Sequence, residues 1–206
     1  MSYINLAIDL PTVAILSVQI FAIMDPLAAV PALVEALSGF GDKEARTYIN
    51  RASIVIFALL TIFSTIGGAV LHVLGLDISY LKIAAGVLLM AISIDTLITG
   101  HKPSRISVGE YIIVPIATPL IVGPGTMTLL IASSKVYGIA NTLLASYIAF
   151  LATYIILLIS NKIVKLLGNT FIHGLGRFMS IIIASFAVEM FVSGLRSIVS
   201  TLLLSG

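Results

Sequence analysis

Residues 52–71 read ASIVIFALLTIFSTIGGAVL, twenty positions in a row without a formal charge. About 20 apolar helical residues cross a hydrocarbon core of about 30 Å, so this stretch reads as a transmembrane helix. The pattern recurs along the chain. No Lys, Arg, Asp or Glu lies between Arg51 and Asp77, between Glu110 and Lys135, or between Lys135 and Lys162. Charged residues make up 10% of the chain and hydrophobic ones 59%, against about 25% charged in an ordinary soluble domain. Lipid, not water, is the solvent for most of this surface.

The formal net charge of +2 is too small to point to nucleic acid. The absence of cysteine removes disulfides, thiolate metal sites and cysteine nucleophiles. His72, His101 and His173 lack ligand spacing, so neither a metal nor another cofactor is expected. There is no Lys or Arg before Lys43, hence no basic n-region of a cleavable signal peptide, and the first apolar stretch is read as a retained helix.

Six helical segments follow, at about 8–38, 50–72, 80–99, 110–134, 140–161 and 177–202, joined by short connections. The connections 1–2, 3–4 and 5–6 carry Lys43, Arg46, Arg51, Lys102, Arg105, Lys162, Lys165 and Arg177, whereas the opposite side has Lys82, Lys135 and Arg196. Eight cations against three place the richer loops in the cytoplasm and both termini outside.

The halves resemble each other. Pro26-Leu27-Ala28-Ala29-Val30-Pro31 and Pro119-Leu120-Ile121-Val122-Gly123-Pro124 share P-L-x-x-x-P at a 93-residue offset. Asp95 with Gly100 recurs as Glu189 with Gly194 at an offset of 94. A duplicated unit with an odd number of spans is inverted in the membrane, the plan of many secondary transporters. The expected fold is therefore all-α and polytopic, a single transmembrane domain over 1–206. It holds six transmembrane helices in two inverted three-helix repeats, about 1–100 and 101–206, with helices 1 and 4 broken.

The breaks come from proline, which removes a backbone donor and clashes one turn back, in a solvent that cannot repair the loss. Pro26 and Pro31 fall in the first segment, and Pro115, Pro119 and Pro124 in the fourth. Asp25-Pro26 and Thr118-Pro119 each join a good N-cap to a proline suited to the first helical position. Gly123, Pro124, Gly125 and Thr126 add a further break where backbone can approach a ligand closely. Simple kinks are the other reading of each proline. Unwound backbone and a half-helix N-terminus suit a substrate carboxylate.

Asp25, Asp95 and Glu189 are the acids well inside the proposed spans, where a charge costs at least about 2.5–3.5 kcal/mol. Asp25 reads as a partner for a substrate ammonium, a proton carrier or a helix cap; Asp95 and Glu189 read as coupling groups or as side chains reaching the interface. Thr126 and Thr128 bind across helices or to substrate. The candidate substrate set is thus Asp25, Pro26, Ala28, Pro31, Thr118, Pro119, Gly123, Pro124, Gly125 and Thr126, with Asp25, Asp95 and Glu189 for proton or ion coupling.

These residues resemble the MarC family, also described as small neutral amino acid transporters. The resemblance rests on Met24-Asp25-Pro26-Leu27 through Pro31, on Pro115 through Gly125, on Lys82-Ile83-Ala84-Ala85-Gly86, and on Arg177-Phe178-Met179 with Glu189 and Gly194. It covers essentially the whole chain. The family pattern has glycine where this chain has Ala28 and Ser180, and paired glycines where it has Ala85-Gly86. The resemblance implies six helices in inverted repeats and ion-coupled transport of small neutral amino acids such as glycine and alanine. A channel or passive exporter of another small solute is the alternative, and it would show flux without saturation or counterflow. An enzyme is not expected, because no H-E-x-x-H occurs and no histidine–serine constellation is visible. The implied partners are a small-molecule substrate and the lipid of the cell membrane.

The topology can be tested in this cysteine-free background. A cysteine at Ser2 should label from outside intact cells and one at Ser104 should not; the reverse pattern would sink the orientation.

Overall fold

The computed structural model describes residues 8–100 and 121–205. Every regular element among them is a helix. In chain order these are α1 (Leu10–Met24), α2 (Pro26–Leu37), α3 (Asp42–Thr65), α4 (Gly67–Val73), α5 (Ile78–Thr99), α6 (Pro124–Tyr137), α7 (Ile139–Leu158) and α8 (Ser160–Ser205). Five stretches among the described residues are long and apolar enough to cross a membrane: Leu10–Leu37, Asp42–Thr65, Ile78–Thr99, Ile139–Leu158 and Thr170–Leu203. They match five of the six segments expected from sequence. Most of the fourth segment's first half, with Pro115, Thr118 and Pro119, lies outside the described residues.

Local chemistry sets the helix ends. Asp42 and Glu44 in the first turn of α3 complement its positive dipole end. Asp77 caps α5 by accepting from the Ser79 amide at 2.8 Å. Hydrogen bonds from the Ser79 side chain and backbone hold the Asp77 carboxyl below its usual range, with nearby Lys135 and Lys82 lowering it further against a small opposing effect of burial. Gly100, at φ 84, closes α5 with its amide on Thr96 O. Gly138 at φ 85 separates α6 from α7, and Gly168 at φ 76 bends α8.

Two antiparallel pairs tie distant parts of the chain together. In the first, Tyr154 OH donates to Asn50 Oδ1 at 2.9 Å, and Phe57 stacks on Tyr147 with centroids 4.8 Å apart, joining α3 to α7. In the second, α5 lies along α8 over its whole length. A side chain at Gly86 would meet Ala187 O at 2.7 Å, and one at Gly194 would meet Ser79 O at 2.7 Å. At the other end, Gly100 abuts His173 and Gly176, and Arg177 Nη2 donates to Ile98 O at 3.3 Å. Small residues allow this approach, as is common where lipid provides no hydrophobic drive between helices.

The core sits on α1, α2, α3 and α7, with Ile20, Met24, Leu33, Ile56, Leu60 and Leu157 buried together. A second cluster, Ile23, Ala85, Leu89, Ile183, Ala187 and Met190, binds α1 to the α5–α8 pair.

Overpacking costs typically about 1–3 kcal/mol. Gly194→Ala, which drives a methyl into Ser79 O, should lower the thermal midpoint in detergent. Gly39→Ala, in open space, should leave it in place. The Asp77 cap should contribute fully above the ordinary carboxylate pKa of about 3.9 and fade as pH falls through its depressed value. The midpoint difference between wild type and Asp77→Asn should accordingly shrink only in that acid range; a difference that grows on acidification would contradict the cap.

Candidate functional site

The first break is one residue wide. Neither α1, at 15 residues, nor α2, at 12, spans a bilayer alone at about 1.5 Å per residue, so their shared junction lies deep in the combined span Leu10–Leu37. Asp25 takes the left-handed conformation at φ 42 and ψ 64. Its amide donates to Phe21 O at 2.9 Å, closing α1. Its Oδ1 accepts from the Ala28 amide at 3.3 Å, opening α2. Pro26 holds the first helical position, where its missing amide is no loss. Asp25 is 1% exposed, and Pro26 and Ala28 are buried.

The interruption expected over Asp25–Pro31 is narrower than that. Pro31 removes the donor that would bond the Leu27 carbonyl, yet α2 runs unbroken through it to Leu37. Proline here is absorbed inside a helix whose start is already fixed by Asp25, six residues earlier.

In the second half, Gly123 is extended at φ −93 and ψ −176, and Pro124 opens α6 in the position Pro26 takes in α2. The repeat alignment pairs Pro124 with Pro31 instead; the partner it gives Pro26, Pro119, lies outside the described residues with Thr118. Gly125 and Thr126 are buried in the first turn. Thr126 Oγ1 reaches Ile121 O at 3.4 Å, across the break. Gly125 is covered by Leu89 of α5, whose Cδ1 would lie 2.5 Å from an added Cβ. Leu89 shares a buried cluster with Ile23, two residues before Asp25. Both breaks thus border this cluster, and Met24, Ile121 and Val122 share the adjoining core.

Asp95 and Glu189 do not join them. Asp95 lies in the last turn and a half of α5, half-buried. Glu189 lies well inside the span Thr170–Leu203, exposed, and lines a cavity of about 330 Å³. Gln19 of α1, Lys82 of α5 and Thr128 and Ser133 of α6 line the same cavity. Lys82 Nζ donates to Ser193 Oγ at 3.1 Å. Lys82 escaped the sequence reading because it was counted as a loop cation; its place in an otherwise uncharged stretch from residue 78 to 94 was the available signal. A larger cavity of about 410 Å³, lined by Asp42, Arg46, Asn161, Lys162 and Lys165, lies at the helix ends expected in the cytoplasm and includes none of the candidate residues.

The chain matches the MarC family integral membrane protein model over residues 10–199. It is 30% identical over 191 residues to a UPF0056 membrane protein of Methanocaldococcus jannaschii, covering 86% of this chain and 93% of the relative. A UPF0056 membrane protein of Archaeoglobus fulgidus is 32% identical over 191 residues, at 85% and 88% coverage. The UPF0056 inner membrane protein YhgN of Escherichia coli K12 is 29% identical over 185 residues, at 87% and 94%. No solved structure matches. A chain of largely apolar helices, interrupted at Asp25, with a further helix opened by Pro124, and aligned almost end to end with these membrane proteins, belongs to the MarC family of integral membrane proteins.

Proposed function

We propose that this chain is a secondary transporter of small neutral amino acids of the glycine and alanine class, coupled to an ion gradient. It works from the cytoplasmic membrane as six spans in two inverted repeats with both termini outside. The observation that carries the reading is the pair of half-helices, α2 and α6, each opened by a proline at its first positions inside the chain's apolar interior. Such broken helices mark the substrate site in transporters built from inverted repeats.

The packing of α5 on α8 supports the repeat. Gly100 abuts His173 and Gly176, while Gly194 abuts Ser79 and Lys82. The offset of 94 that relates Gly100 to Gly194 also relates Ser79 to His173 and Lys82 to Gly176. A two-fold rotation exchanging the halves turns each set of contacts into the other. Pairing of α3 with α7 and of α5 with α8 across the halves is compatible with that rotation.

In this reading the substrate carboxylate takes backbone amides at the start of α6, around Gly123, Gly125 and Thr126, where the dipole favours negative charge. The ammonium faces Asp25, which also offers a route for a coupling proton. Ala28, Ala29 and Gly125 keep side-chain bulk at the breaks low, which suits close approach of backbone to a small cargo.

Asp25→Asn separates charge from architecture, because asparagine both caps helices and tolerates the left-handed conformation. The variant should fold, and glycine binding should weaken by about 1.5–3 kcal/mol, the worth of a hydrogen bond to a charged group. Glycine counterflow in proteoliposomes under imposed proton or sodium gradients is the measurement. Wild-type affinity and transport in folded Asp25→Asn would remove Asp25 from the site. Flux without saturation or counterflow would favour a channel.

A further inference from the structure

The cavity that holds Lys82 and Glu189 is not explained by the two breaks. It gathers side chains from four helices of both halves: Gln19, Lys82, Thr128, Ser133 and Glu189. Each is expensive to keep in a membrane without a partner. Glu189 is exposed well within its span, and a carboxylate at that depth is tolerated against water or a counter-charge rather than against lipid. Lys82 Nζ rests on Ser193 Oγ, and Ser193 lies four residues from Glu189, hence on the same face of α8 one turn away. The cation and the anion therefore stand about a helical turn apart across one polar space. Thr128 is fully buried, and its Oγ1 has no hydrogen-bond partner among the described residues. At about 330 Å³ the cavity falls within the ordinary range for small-molecule pockets, about 300–1,000 Å³. Leu129, Ala132, Phe186 and Met190 supply its apolar wall.

We propose that this cavity is a second binding site for a small zwitterion, in which Lys82 takes the carboxylate and Glu189 the ammonium. The assignment rests on the reading that the cargo is a neutral amino acid. Lys82 exchanges its bond to Ser193 for a stronger, charge-assisted one to the ligand carboxylate. Thr128 and Ser133 offer hydroxyls along the floor, and Gln19 offers either an acceptor or a donor. Val136 and Tyr137 also line the cavity, at the same end of α6 as Lys135, which lies near Asp77 at the start of α5. The site is thus the vestibule on the side expected to face outside, and Thr128, at its inner end, stands one helical turn from Pro124 at the break.

Ala132→Cys supplies a single thiol on the cavity wall of a cysteine-free chain. In reconstituted protein it should react with a charged thiosulfonate, whereas Leu151→Cys, on an exposed face of α7 outside this cavity, should be inert behind lipid. Glycine should slow the Ala132→Cys reaction at concentrations at least about tenfold below those at which acetate or methylammonium do, since each half-ligand meets one charge only. Adding Lys82→Gln or Glu189→Gln should raise the protecting glycine concentration about tenfold or more. An inert Ala132→Cys, equal protection by glycine and its halves, or unchanged protection in both folded charge variants would each overturn the proposal. Protection by glycine without counterflow would leave this site standing and refute transport; counterflow without protection would do the opposite. If a charge variant fails to fold, the comparison of glycine with its halves still decides.

Discussion

A helix that ends inside hydrocarbon must satisfy its last carbonyls and first amides from within the protein, because no water is there to take them. The arrangement at Asp25 follows from that constraint. Its left-handed backbone returns an amide to Phe21 O, its carboxylate receives the Ala28 amide, and Pro26 brings no amide that needs a partner. One residue thereby serves the end of α1 and the start of α2. The second half meets the same demand by other chemistry. Gly123 is extended, Pro124 again removes an orphan donor, and the Thr126 hydroxyl crosses to Ile121 O. The first break carries a carboxylate; Gly123-Pro124, which the repeat aligns with Val30-Pro31 rather than with Asp25-Pro26, carries none.

The breaks could not stand without a frame, and α5 with α8 provides one. Glycines at 86, 100, 176 and 194 bring backbone against backbone along this pair. Close contact of that kind leaves little freedom to slide, because each glycine sits where even a methyl group would collide. Leu89 projects from this frame onto Gly125, and Ile23 packs beside it. The frame therefore borders both breaks.

Much of this was legible in the sequence, and the limits are physical. Uncharged runs such as Ala52 to Leu71 specify spans because the cost of burying charge in lipid is local to each residue. Asp25-Pro26 announced a helix start because capping and proline geometry act within one turn. Pro31 was read as part of the same break, since a pattern of residues does not reveal whether a helix already nucleated can absorb the lost donor. The spacing of Asp95 with Gly100 and of Glu189 with Gly194 pointed to a duplication, but the local roles diverged. Gly100 caps α5, whereas Gly194 lies in mid-helix and serves only to admit Ser79 and Ile83. Lys82 was counted with the loops because its partner, Ser193, is 111 residues away; no local rule reports such a contact.

The cavity and the second break lie on the same helix, and the layer between them is thin. Thr128 is at the cavity and Pro124 at the break, four residues or about 6 Å apart along α6. Leu129 lines the cavity and packs against both core clusters, while Leu89 covers Gly125. Under the proposed function, Leu129 and Leu89 are the side chains that stand between the two. Leu89 belongs to α5, which its glycine contacts hold against α8. Leu129 belongs to α6, a 14-residue helix bounded by Gly123 and Gly138, the kind of element-terminal positions that absorb backbone rotation. Displacing α6 as a unit therefore disturbs fewer close contacts than displacing α5 would. A shift of α6 would also carry Gly125 and Thr126 out from beneath Leu89 in the same motion that opens the floor of the cavity. Under the proposed function, the element assigned to the substrate carboxylate and the element whose shift opens the way to it are one and the same.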